Sequence, residues 1–360
     1  MRTVENEELE LFFNELQTDI SPALTTSLEE NYFRQVILTL ITNFAAHGIL
    51  LFIMTALNKT LIYSFAIDDF PLIYKVNPLL ISMGQFFFSS LFLFPFCAKQ
   101  FIDRFQISIG GMILTAVPYI ATITSSLAIY YFFNPPPYFQ LRSFSISCAF
   151  FIGFFNKHFY NFPDTIIAVG IMICGTLLSS GPSPEFYFPF LVFGFASSVA
   201  SVQYPFAIRK SIGFFRRKFV LLAFSLNICS LVLVTPFALT CSDLSIFHRP
   251  EFKFWPFFFT LAFSGFISAL LCLTSSILIY FSSPLHYIVF STARSSLMIL
   301  FQAIIDPVNR VLTPAMFLGH LICLSSGIMV MIFHFQKLKQ KTLVPWSFPS
   351  SLWRLLGFIE

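Results

Sequence analysis

Ten times between residues 36 and 333 the chain runs through about 16 to 25 apolar residues with hardly a charge among them. The runs cover roughly 36–57, 78–98, 108–132, 138–155, 165–180, 187–207, 219–240, 256–280, 284–304 and 312–333. A helix needs about 20 predominantly apolar residues to cross a bilayer, and runs of this length and number fit no soluble core. The composition agrees: 56% of the 360 residues are hydrophobic, 52 are phenylalanine and only 11% are charged, against roughly a quarter charged in a soluble domain. The pattern predicts an all-α polytopic membrane protein with ten transmembrane helices.

The loops between the runs are short and marked by Pro, Asn or charge, as in NPPP at 134–137 and DPVNR at 306–310. They leave no room for a separate soluble domain. The expected organisation is an acidic N-terminal tail over 1–35, five helices over 36–181, five more over 187–334, and a basic, aromatic C-terminal tail over 335–360 that could lie on the membrane surface. The N-terminal stretch lacks the basic start and apolar core of a signal peptide and is too acidic for a transit peptide, so it reads as a cytosolic tail. If both ends are cytosolic, that side carries 14 Lys and Arg and the other side 5, with Arg142 and Arg294 inside the runs. Basic residues concentrate on the cytosolic side of membrane proteins, so this orientation is expected. The net charge of +4 gives no reason to expect a nucleic-acid partner. The 7 cysteines show neither CxxC nor a Cys/His ligand spacing, so neither a disulfide framework nor a metal or other cofactor is expected.

The two arginines inside the apolar runs also organise the chain. Arg142 opens RSFSISCAFF in the fourth run and Arg294 opens RSSLMILF in the ninth; the fifth and tenth share G-x-x-I-C, as GIMIC at 170–174 and GHLIC at 319–323. Runs four and five thus resemble nine and ten. A repeat of five helices is odd, so its second copy enters the membrane from the opposite face, which predicts two inverted five-helix repeats with a site between them. Both arginines would then approach a common central cavity.

An arginine at a helix centre costs about 2.5–3.5 kcal/mol on insertion scales. A pairing carboxylate would explain it structurally, yet no Asp or Glu lies well inside any run; Asp164 and Asp306 are at edges. Two facing guanidinium groups invite an anion, and their planar donor fork suits phosphate. Polar residues that could line such a cavity are Phe224, Ser225 and Asn227 in the seventh run, Thr274, Ser275 and Ser276 in the eighth, and His286 and Tyr287 at the start of the ninth. Amide, hydroxyl and aromatic groups hold a base and a sugar, although any single Ser or Thr can equally join helices together. His47 in the first run is open to the same two readings.

These residues resemble a family. SSPLHYIVFSTAR at 282–294 is similar to the S-P-L…T-A-K stretch that opens the ninth helix of the triose-phosphate/nucleotide-sugar transporter family, within the drug/metabolite transporter superfamily and nearest its GDP-fucose branch. LRSFSISCAFF resembles R-S-L-T-x-x-F of the fourth helix, ALNKTLI at 56–62 the L-N-K that ends the first, and AFSLN the F-Y-N-N motif of the seventh. The likeness runs in order from about residue 36 to 340 and departs from the family at Ser225, Leu226, Ile288, Phe290 and Ser291.

The resemblance implies a solute carrier of the Golgi or endoplasmic reticulum membrane. It would exchange a nucleotide sugar, GDP-linked for preference, against nucleoside monophosphate. By position, Arg294 stands where the family has a substrate-contacting lysine, Arg142 keeps the family's arginine, and Asn227 matches the asparagine associated with guanine. Ser291 takes the place of a glycine beside them. The expected partners are the organophosphate substrate and the bilayer, with a homodimer left open. A transporter of triose phosphate or phosphoenolpyruvate is the first alternative. A membrane-embedded enzyme or scaffold is the second, and an enzyme would be expected to place Asp, Glu or His clusters at a water-facing helix end, which the sequence lacks. Asn58, in the sequon NKT at 58–60, sits too close to the end of the first run for a glycan and reads as structural.

Overall fold

The computed structural model describes residues 22–65, 67–69, 72–104, 109–132, 145–152, 163–179, 188–215, 218–305 and 313–340. Arg142, most of the N-terminal tail and the C-terminal tail beyond 340 lie outside the described residues. The helices are α1 (Pro22–Tyr63), α2 (Pro78–Arg104), α3 (Ile109–Phe132), α4 (145–152), α5 (Pro163–Ser179), α6 (Phe188–Phe214), α7 (Phe219–Cys241), α8 (Phe254–Phe281), α9 (Pro284–Ile305) and α10 (Pro314–Gln340). Five contain stretches long and apolar enough to cross a membrane: Leu38–Tyr63, Pro78–Cys97, Phe219–Cys241, Phe254–Phe281 and Pro314–His334. Shorter apolar stretches fill Met112–Ala128 and Ile166–Ser179. Large side chains such as Phe87, Leu91, Phe94 and Phe96 on α2 and Phe259 and Phe263 on α8 point outward. Water would not tolerate so much exposed apolar surface, and lipid does. The chain is a helical, multi-pass membrane protein.

Its helix starts are written in the sequence. Pro78, Pro284 and Pro314 each open a helix, where the missing N–H costs nothing and the fixed φ is already helical. Each follows a residue whose side chain caps the new turn. Asn77 Oδ1 accepts from Leu79 N (2.9 Å), Ser283 Oγ from His286 N (3.2 Å) and Thr313 Oγ1 from Met316 N (3.3 Å). Within the helices, hydroxyls return to the preceding turn; Ser82 donates to Pro78 O (2.9 Å) and Ser90 to Phe86 O (2.8 Å). This is how a serine is satisfied without water.

The helices also run past the apolar runs: α1 continues to Tyr63, α2 to Arg104, α6 to Phe214 and α10 to Gln340. Hydropathy marks the span that lipid accepts, whereas charged and amide residues extend a helix freely into the headgroups. The architecture is all-helical apart from a short hairpin between α1 and α2, where β1 (Ile67–Asp69) and β2 (Leu72–Tyr74) pair antiparallel with Asp69 opposite Leu72. Lys75 follows directly, donating to Tyr131 O (3.2 Å) with its ammonium 5.0 Å from the Tyr63 ring. Arg209 of α6 binds a different helix end in the same manner, donating to Tyr280 O (2.5 Å) with its guanidinium 5.5 Å from the Tyr280 ring. Cations at helix C-termini meet carbonyls that the helix cannot satisfy itself.

Contacts divide the chain into two units, one of Met1–Thr42 with Ile332–Glu360 and one of Asn43–Met331. In the first, Thr42 Oγ1 returns to Leu38 O (2.8 Å). The second holds three buried clusters. One centres on Phe86, Tyr119, Tyr204 and Phe224, between α2, α3, α6, α7 and α8. Another joins Leu61 and Ile62 of α1 to α2, α3 and α8, and the third joins α4, α5, α6, α9 and α10 around Met172, Val289 and Cys323. Small residues set the closest approaches, as expected where lipid supplies no hydrophobic drive between helices. A side chain on Gly84 or Gly265 would strike Leu261 or Phe88 at the α2–α8 contact, and Gly175 and Gly319 bring the backbones of α5 and α10 together. Beside them Cys323 Sγ donates to Met172 O (3.7 Å) and Ser326 donates to the Ala168 carbonyl.

Candidate functional site

Two adjoining cavities lie in the second unit. The larger, about 120 Å³, is walled by α1, α3, α6, α8 and α9; the smaller, about 90 Å³, by α3, α4, α5, α6, α9 and α10. They share Thr122, Tyr204 and Tyr287, so these three side chains form the partition.

Arg294 lines the larger cavity and is 6% exposed. It sits halfway along α9, and its Nη2 donates to Ser291 Oγ one turn earlier (3.3 Å), on the wall of the smaller cavity. Gly48 of α1 lies beside it: a Cβ there would come 3.4 Å from Arg294 Cδ, at the edge of ordinary contact, so the arginine chain runs against α1 at this position. The neighbouring His47 is oriented by hydroxyls. Thr274 donates to Leu270 O (3.0 Å), so its oxygen accepts from His47 Nδ1–H (2.8 Å). Nε2 is then the acceptor, and Tyr287 O–H donates to it (3.3 Å). Among the described lining residues, the larger cavity is surrounded by one cation and a set of uncharged donors, with no Asp or Glu.

The smaller cavity is a different environment. Hydroxyls dominate its wall, including Ser145, Thr176, Ser179, Ser201, Ser295 and Ser296, with His320 at one side. Its polarity is hydrogen-bonding and neutral among the described residues.

The expected residues divide accordingly. Arg294, Ser291 and Tyr287 come together at the cavities, and Thr274 reaches them through His47. Asn227, Phe224 and Ser225 do not line either cavity. Asn227 is fully buried; its Nδ2 donates to Ala223 O (2.7 Å), and its Oδ1 receives Tyr119 O–H at 3.5 Å. Tyr119, which lines the larger cavity, bonds Asn227 from the cavity side. Phe224 packs against Phe94, their centroids 6.1 Å apart. His286 also turns away, into Ser283 (2.5 Å) and the Phe290 ring.

Residues outside the expected set complete the site. Tyr119 and Tyr204 stack at 5.2 Å and 26°, and Tyr204 also meets Ser275 Oγ (3.1 Å). Each adjoins a helix-interior proline, Pro118 or Pro205, where one ladder hydrogen bond is missing. Ser126, Ser268 and Asn58 line the larger cavity too, beside Ser275, which the sequence had already placed among the candidate lining residues. A signal for some of them is present in the sequence. TSSLAIY at 124–130 returns as TSSILIY at 274–280, a displacement of 150 residues. Its serines 126 and 275 both reach the larger cavity, while Ser125 meets Ser197 (3.0 Å).

No family model matches the chain, and no curated protein matches it. Among the solved structures that match, one described only as "Crystal structure of protein" superimposes with a TM-score of 0.58 over 84% of this chain and 99% of its own length, at 12% sequence identity. That likeness shows that the two proteins share a fold.

Proposed function

We propose that the chain is an antiporter of ten transmembrane helices, arranged as two inverted five-helix repeats, that exchanges nucleotide sugars for nucleoside monophosphate across a Golgi or endoplasmic reticulum membrane. Arg294 is the observation that carries this reading. A buried guanidinium halfway along a membrane helix, facing a cavity whose described wall has no carboxylate, is suited to an anion. Its planar fork suits phosphate above other anions. The hydroxyl-lined cavity beside it suits a sugar. Arg142 would enter from the other repeat, and the resemblance of residues 282–294 to the family's ninth helix favours GDP-linked substrates.

Three further observations support the repeat. The TSS-x-x-IY pair is displaced by 150 residues. Helix α2 packs on α3 as α7 does on α8, and α3 packs on α7 as α8 does on α2, which a two-fold relation of α2 to α7 and α3 to α8 would generate. Transport would consist of the two repeats rocking about the shared cavities.

Purified protein in liposomes tests the proposal directly. Uptake of a nucleotide sugar, accelerated by GMP or another nucleoside monophosphate trapped inside, is the expected result. Uptake of triose phosphate or phosphoenolpyruvate without any response to nucleotides would replace it with the small-organophosphate reading. Orientation has its own test. Tags on both termini should be cleaved by protease added to sealed vesicles, since the basic loops place both ends in the cytosol; a tag that survives until detergent is added would reverse the topology.

A further inference from the structure

Asn58 is the amide that faces the larger cavity, and its orientation is dictated from outside that cavity. The chain of direction begins at a backbone carbonyl. Ser264 donates its proton to Leu261 O (3.0 Å), so its oxygen accepts from Gln85 Nε2 (3.2 Å). The same Nε2 donates to Asn58 Oδ1 (2.9 Å). With its oxygen committed to Gln85, Asn58 offers its N–H2 to the cavity. Gln85 is fully buried, and its Oε1 has no hydrogen-bond partner. Turning the amide over would aim that oxygen at the Ser264 oxygen, so the orphaned acceptor is the consequence of keeping both donors in place. A buried acceptor left unsatisfied is costly, and a fold retains one where the geometry has a use.

The position of Asn58 on α1 adds a length. His47, Leu51, Met54, Thr55 and Asn58 form one stripe along the cavity, and ten residues separate Asn58 from Gly48, where Arg294 runs against α1. At 1.5 Å per residue this is about 15 Å.

We infer that Asn58 is a specificity-determining residue, donating its amide N–H to an acceptor at the far end of a nucleotide whose phosphate lies at Arg294, and that Gln85 is the positioning residue that holds it so. A three-carbon phosphate, about five bonds of ~1.5 Å end to end, cannot span both groups. The inference rests on the reading of Arg294 as the anion site.

The test is affinity by ligand-induced thermal stabilisation of the full-length purified protein, using GMP, UMP, CMP, AMP, ribose 5-phosphate and inorganic phosphate. In the parent at least one nucleotide should bind about tenfold or more tighter than ribose 5-phosphate, which keeps the anion and lacks the base. Asn58→Leu and Gln85→Leu should each bring that nucleotide to within about twofold of ribose 5-phosphate while leaving inorganic phosphate unchanged. Asn58→Asp keeps an oxygen for Gln85 and replaces the N–H2 donor with an acceptor oxygen that carries negative charge when ionised, so it should show at least the same loss and serves if the leucine variant does not fold. A preference that survives Asn58→Leu or Asn58→Asp, or a parent that binds ribose 5-phosphate as well as every nucleotide, overturns the inference. Arg294→Ala separates the two levels. It should weaken all six ligands together, and if it weakens none, the anion reading itself fails.

Discussion

Arg294→Ala is expected to abolish transport without lowering the amount of folded protein. Both halves follow from burial. A phosphate held by a guanidinium in a site shut off from water makes charge-assisted bonds that neither solvent nor a neighbouring hydroxyl replaces, and truncating one member of such a pair typically costs 2–5 kcal/mol. Around 3 kcal/mol corresponds to a loss of more than a hundredfold in affinity. The helix, by contrast, gains: placing the arginine in the membrane costs about 2.5–3.5 kcal/mol, and alanine removes that cost. A purely structural arginine would behave in the opposite sense, because its removal would leave buried acceptors such as Ser291 Oγ without their donor and reduce folded protein first. Arg294→Lys should retain partial uptake, since it restores the charge without the fork. The measurement is initial uptake per unit of monodisperse protein after size exclusion; full activity of the alanine variant would sink the phosphate site.

The helices were legible in the sequence because two independent physical signals coincide at their ends. The apolar runs give the spans, and the pairs Asn77–Pro78, Ser283–Pro284 and Thr313–Pro314 give the caps and first turns to the residue. The hairpin at Ile67–Tyr74 was not legible. Six strand residues, two of them aspartates, in a loop that also holds a proline carry too short an alternation to stand out.

The site was legible at its charge and obscure at its walls. One arginine in an apolar helix is visible at once, because lipid makes it expensive. A tyrosine or serine in such a helix is cheap and common, so Tyr119, Tyr204 and Ser268 carried no signal until helices from distant parts of the chain were brought together. Asn227 shows the converse. A motif likeness placed it at the ligand, but its amide is spent on Ala223 O and on Tyr119, because motif position says nothing about which face of the helix looks inward. The cavity-facing amide, Asn58, was hidden in a sequon, where its burial and its bond to Gln85 rule out a glycan in this fold.

The paired glycines of G-x-x-I-C give the clearest separation between what pattern and structure predict. Gly170 and Gly319 occupy equivalent places in that motif, so from sequence their replacement should have equal effects. In the structure a Cβ on Gly170 meets nothing within 4 Å, whereas one on Gly319 would fall on the Ser179 nitrogen and lie 2.6 Å from Gly175 O and 2.9 Å from Leu178 C. All three are backbone atoms of α5, so no side-chain rotation relieves the clash and the two helices must part. Gly170→Ala should therefore leave the melting temperature unchanged or slightly raised, alanine being the better helix former by up to about 1 kcal/mol. Gly319→Ala should lower stability by about 1–3 kcal/mol, the usual cost of overpacking, and Gly319→Leu should yield little folded protein. The functional consequence follows from what the contact carries. Ser179 and His320 flank it and line the smaller cavity, so under the proposed function the Gly319→Ala protein that does fold should lose affinity for a nucleotide sugar before its affinity for inorganic phosphate. Thermal unfolding in detergent with fluorescence detection measures the first effect. If Gly170→Ala and Gly319→Ala melt alike, the close approach of α5 and α10 is not the packing that holds these helices together.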